Sequence, residues 1–226
     1  MLSAVPQDNG SKRASTGSVN AFIERDGGKA GSRKQGKEAT RAKVLEAAKA
    51  QLETVGFERT SIRGVAKEAG VATGTVLLHF PDKRELLHAA LFDDLEHTWT
   101  EARDAKGRRA LRRELVRIAK AFFDYYAQRP VLSRALLRES LFADPPWAAR
   151  FAAQIADVHR HVAVLADRAR ARGEIDARTD SALLAAAFFS FYYFALLAWL
   201  QGGHGDPLGL FERLVDEHLR KGTGPR

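Results

Sequence analysis

The sequence predicts an all-α protein, and three observations carry that reading. Apolar residues recur at three- and four-residue spacings in segment after segment from about residue 40 onward. No sustained alternating stretch with flanking turn residues occurs, so a sheet is not expected. With 45% hydrophobic residues among 226, the chain can bury a real core without covalent staples.

In chain order, residues 1–39 are rich in Gly, Ser and Lys, lack a repeating apolar pattern and are expected to form a flexible basic arm. Residues 1–43 hold nine Lys or Arg and four Asp or Glu, a net of +5 out of the formal +8 of the whole chain, so the basic surplus belongs mostly to this arm. A first helix follows, with Val44, Leu45, Ala48, Leu52 and Val55 on one face, Thr40 able to cap it and Gly56 placed to end it. Thr60 or Ser61 can cap a second, whose inner face is Ile62, Val65, Ala66 and Ala69 and which Gly70 stops. The third runs from about Ala72 through Val76 to His79, and Pro81 marks the break before a longer helix carrying Leu86, Leu87, Ala90, Leu91 and Leu95. Beyond it, Leu111, Leu115, Ile118, Phe122 and Tyr126 or Tyr125 make one stripe, residues 131–142 a short apolar helix, and Phe151, Ile155, Val158, Val162, Leu165 and Ala169 a buried stripe that Gly173 should end. Residues 182–200 are apolar nearly all round, and Leu208, Phe211, Leu214, Val215 and Leu219 mark the last of nine expected helices.

Composition removes several functions. There is no cysteine, which excludes disulfides, thiolate metal sites and cysteine nucleophiles. The first residues lack the long apolar run of a signal peptide, so a cytoplasmic location is expected. Residues 182–200 run 19 positions without a charge, the length of a membrane span. Amphipathic helices on both sides and the lack of a flanking Lys/Arg cluster favour burial between subunits instead, so no membrane partner is expected. No Gly-rich phosphate loop, HExxH or Gly-x-Ser-x-Gly is present, so the chain is not read as an enzyme. His159 and His161 point apart on a helix, and no metal or cofactor is expected.

Residues 60–80, TSIRGVAKEAGVATGTVLLHF, carry the function. Small Ala66 lets two helices approach, Gly70 permits the turn, and Val76 locks the second helix onto the first, which is the geometry of a helix-turn-helix. The corner of a helical structural or protein-interaction module is the alternative reading. With Gly56-Phe57 before it and His79-Phe80, Lys83 and Leu86-Leu87 after it, the segment over residues 40–91 resembles the DNA-binding domain of the TetR family of transcriptional regulators.

That resemblance implies a three-helix DNA-binding head over residues 40–88 and an effector-binding and dimerisation domain over residues 89–226. The expected function is that of a ligand-responsive repressor acting as a homodimer on a palindromic, double-stranded operator. Thr73, Thr75 and Leu78 are expected to meet base edges. Lys83 matches the family's backbone-contacting lysine. Arg63 and Thr60 begin the supporting helix, where Thr60 is equally readable as a cap, and His79 is either near phosphate or packed inside. Arg41 and Lys43, with the arm's Lys37, Lys34 and Arg33, are placed to follow the backbone or to enter a neighbouring minor groove. Two departures stand out: Ala72 occupies the usual Ser or Thr cap, and Leu77 stands where an aromatic residue is usual.

For the second domain the resemblance implies a small, mostly apolar effector. Phe122, Tyr125, Tyr126, Phe142, Trp147, Phe151, Phe188 and Tyr192 are the expected lining, with Phe191 also in that aromatic supply. Arg134, Arg138, Glu139 and His159 are candidate polar orienters. The helices over residues 180–201 and 207–221 are expected to pair with a second copy, through residues such as Phe188, Phe191, Leu196, Phe211 and Leu214.

Overall fold

The computed structural model describes residues 17–105, 110–140 and 142–220, with side chains from residue 32 onward. These residues form nine helices and no strand: α1 (Gly17–Arg59), α2 (Ile62–Ala69), α3 (Thr73–His79), α4 (Lys83–Asp104), α5 (Leu111–Gln128), α6 (Pro130–Ser140), α7 (Trp147–Ala171), α8 (Ser181–Leu200) and α9 (Pro207–Leu219). The chain divides into two compact units, residues 1–43 and 44–226.

In the first unit, residues 17–39 are helical where the sequence predicts a flexible arm. No proline lies between Pro6 and Pro81, so no residue there forbids helix propagation. Thr40 is consequently not a cap: its hydroxyl donates back to the Gly36 carbonyl at 2.9 Å. The part of the expected arm over residues 1–16 lies outside the described residues, as does residue 221 at the expected end of the last helix.

The second unit holds two apolar cores. Val44, Leu52, Val65, Ala66, Val76, Phe80, Leu87 and Leu91 form the first, which is closed by Leu132 and Leu136 of α6 and by Trp147 and Phe151 of α7. The second is built by α5, α7, α8 and α9 around Leu115, Ile118, Val162, Phe188, Leu196 and Phe211. Leu95 and Tyr125 pack against both. The expected boundary at residue 88 falls inside α4.

Helix ends follow local chemistry. Gly56 leaves helical geometry at φ 76°. Gly70 adopts the left-handed conformation at φ 68° and its N–H bonds the Ala66 and Lys67 carbonyls, turning the chain from α2 to α3. Asp82, Asp180 and Asp206 accept backbone N–H groups at the starts of α4, α8 and α9.

Candidate nucleic-acid interface and ligand cavity

Ser61 caps α2, accepting the Gly64 N–H at 3.0 Å. Thr60 is buried and donates to the Gly56 carbonyl at 2.8 Å, so its side chain holds the end of α1 and is not available to DNA as expected. On α3, Val76 is fully buried and Phe80 nearly so, which fixes the helix from below. Its opposite side presents Thr73, Gly74, Leu77 and Leu78, while Thr75 and His79 are half-buried. Ala72 supplies no side-chain cap, and the Thr75 and Val76 N–H groups bond its carbonyl instead.

Arg63 and Lys67 are exposed on α2. Lys83 is half-buried rather than simply presented to solvent: its ammonium donates to the Phe57 carbonyl at 2.8 Å and lies 4.2 Å from the Phe57 ring centroid. It therefore completes the end of α1 as well as sitting beside α3. In the other unit, Lys43 is exposed and Arg41 half-buried.

A cavity of about 390 Å3, partly open to solvent, lies among α4, α5, α7 and α8, lined by Leu91, Leu95, Trp99, Phe122, Tyr126, Phe151, Ile155, Phe188, Phe189, Tyr192 and Tyr193, with Ser140 and Gln154 as further polar groups. Among the described residues its lining carries no Asp, Glu, Lys, Arg or His. Burial pushes the Tyr126 and Tyr192 hydroxyls well above the ordinary phenol range, so both stay neutral. Trp99 is held by its indole N–H donating to Asp157 at 2.7 Å. That bond is the first cause that keeps the Asp157 carboxyl below its usual range.

Of the expected ligand residues, Phe122, Tyr126, Phe151, Phe188 and Tyr192 line this cavity. The other three do not. Trp147 is buried in the first core with His88, Phe92 and Phe151 around it. Phe142 is 89% exposed, because it follows the end of α6 and reaches neither core. Tyr125 faces a separate polar hollow of about 520 Å3, where Lys49 bridges Glu46 and Asp94.

The expected orienters also lie elsewhere: Arg134 donates to the Leu200 carbonyl at 2.9 Å, Arg138 and Arg84 pair with Glu139, and His159 stands edge-on to Phe189 at 5.3 Å. Sequence reasoning missed Leu91, Leu95 and Trp99, whose four-residue spacing on α4 reads as core, and Tyr193, the neighbour of an expected residue.

On the outer side of α8, Leu183 is 65% and Phe194 58% exposed. Phe188, Leu196 and Phe211 are buried in their own subunit's core, contrary to their expected place against a partner.

Residues 44–90 match the family model described as bacterial regulatory proteins, tetR family. The chain is 32% identical over 165 residues to the HTH-type transcriptional repressor KstR of Rhodococcus jostii, covering 71% of this chain and 72% of that protein. It is 28% identical over 195 residues to the HTH-type transcriptional regulator TtgR of Pseudomonas putida, covering 82% and 92%. Among solved structures it is similar in fold to a TetR transcription regulator from Haloarcula marismortui, with a TM-score of 0.70, 18% identity and 80% and 97% of the two chains covered. FadR of Bacillus subtilis, solved with stearoyl-CoA, is similar at a TM-score of 0.64 and 16% identity, covering 79% and 97%.

Proposed function

The chain belongs to the TetR family of bacterial regulatory proteins and is a DNA-binding transcriptional regulator, and from that premise we propose that it acts in the cytoplasm as a homodimeric repressor whose hold on its operator is controlled by a small, mostly apolar effector. The single observation that carries the ligand-responsive reading is the course of α4. It starts beside the recognition corner, where Asp82 caps it, and its next turns supply Leu91, Leu95 and Trp99 to the cavity wall. One rigid element thus adjoins both the recognition corner and the ligand site.

Residues 40–88 serve as the reading head and residues 89–226 as the effector and dimerisation part. Thr73, Thr75 and Leu78 meet base edges, Arg63 and Lys83 meet phosphates, and Lys43 with Arg41 adds backbone affinity. His79 stands at the end of the reading helix, within reach of the backbone it borders. The uncharged cavity suits a neutral, apolar molecule oriented by tyrosine hydroxyls. FadR's complex with stearoyl-CoA offers a precedent for an apolar chain in a neighbour of this fold. The exposed Leu183 and Phe194 face a second copy across α8, and the dimer sets two copies of α3 on one palindrome.

The test begins with selection of an operator from random duplexes. Operator affinity is then measured against ligand concentration, with ligand affinity measured on free and DNA-bound protein. A true effector changes both by the same factor. A ligand held equally well in both states is not the effector, and retention of every duplex alike would remove the operator reading.

A further inference from the structure

The recognition helix is unusual in what it offers to DNA. Leu78 is 84% exposed and Leu77 46%, and their outward companions are Thr73 and Gly74. α3 contains no Arg, Lys, Asn or Gln, the side chains that make bidentate bonds to guanine or adenine in the major groove. What remains is a pair of short hydroxyls, the half-buried imidazole of His79 at the far end, and a large apolar surface. The base-edge group that an apolar side chain recognises is the thymine 5-methyl.

Gly74 adds a second, independent observation. It is the second residue of the helix, and a Cβ built there would meet nothing within 4 Å. No neighbour among the described residues requires that position to be bare, although glycine costs more backbone entropy on folding than alanine. Gly74 and Leu78 are four residues apart and so share one face. A missing side chain one turn before a projecting leucine lets the helix backbone approach the groove and carries the leucine to its floor.

Resting on the DNA-binding reading above, we infer that α3 recognises its operator chiefly through thymine methyl groups contacted by Leu78 and Leu77, with Gly74 kept bare for close approach. Base specificity then comes from methyl placement more than from hydrogen-bond pairing.

The test uses the full chain and a half-site obtained by selection from random duplexes. Each thymidine is replaced singly by deoxyuridine, which removes the methyl and leaves every hydrogen-bonding edge unchanged. At one or more positions in each half-site, affinity is expected to fall about three- to fivefold, the loss of one buried methyl. Leu78→Ala should bind the thymidine duplex more weakly and erase the difference between thymidine and deoxyuridine at its position. Its unfolding midpoint should stay where it was, since the side chain is in solvent. Gly74→Ala should melt at or above the parent temperature while binding less tightly.

Deoxyuridine tolerated at every position would overturn the inference. So would a Leu78→Ala protein that keeps the full discrimination, or a selected half-site with no thymine. A selection that enriches no sequence would instead remove the operator reading itself, and this inference with it.

Discussion

Lys83 and Thr60 show what a residue's neighbours add to its identity. Both stand where a contact to DNA is expected, yet the Thr60 hydroxyl is spent on the Gly56 carbonyl and the Lys83 ammonium on that of Phe57. Gly56 departs from helical geometry near the end of α1, and these two side chains add bonds to the carbonyls there, that of Thr60 beside its own backbone N–H at 3.2 Å. Lys83→Ala should therefore lower both operator affinity and stability, the latter by about 1 kcal/mol, the size of a partly solvated charged hydrogen bond with a cation–π contact. Thr73→Ala should lower affinity alone, with stability unchanged to within about 0.5 kcal/mol. Urea denaturation beside duplex titration separates the two. Ala66, Gly70 and Val76 were legible from spacing because a helix-turn-helix needs a small, a left-handed and an inward residue at those places. The inward turn of Thr60 was not, since a cap and a carbonyl anchor use the same side chain.

At the scale of the element, helical stripes disclosed which face is buried but not what lies against it. α7 begins in the first core with Trp147 and continues into the second with Val162, and its period gives no sign of the change. The same ambiguity hid the cavity wall on α4. The Asp157 bond to Trp99 ties α7 to that wall and has a definite pH signature. A carboxyl whose pKa is lower in the folded than in the unfolded chain contributes stability above its unfolded value, and that contribution is lost as pH falls through the folded one. Asp157 and Glu46 are both of this kind. The unfolding midpoint should accordingly drop as pH falls below about 4.5, the ordinary glutamate value, less steeply in Asp157→Asn. Asp157→Ala should cost about 1–3 kcal/mol by leaving the buried indole N–H unpaired, and should red-shift the tryptophan emission.

For the whole molecule, the apolar character of α8 is divided between two duties. Phe188, Tyr192 and Leu196 serve the subunit's own core, while Leu183 and Phe194 remain outside it. The sequence disclosed that this helix is apolar all round and so wants cover on every side. It could not disclose which residues take which side, because that depends on how α7 and α9 lie against it. Phe194→Glu should convert the dimer to a monomer at low micromolar concentration, with helical content kept, and sedimentation velocity reads the result. An unchanged dimer would move the interface off this face.

The recognition helix has only seven residues and no side-chain cap. A segment so short does not persist by itself in water. It stands because Val76 and Phe80 pin one side of it to the first core. Local opening of α3 is thus cheap beside global unfolding, and the duplex becomes the second wall of a helix that has only one. In deuterated solvent, the Thr75 and Val76 amides should exchange early in the free regulator and late on the operator, while Leu87 in α4 keeps its proton in both.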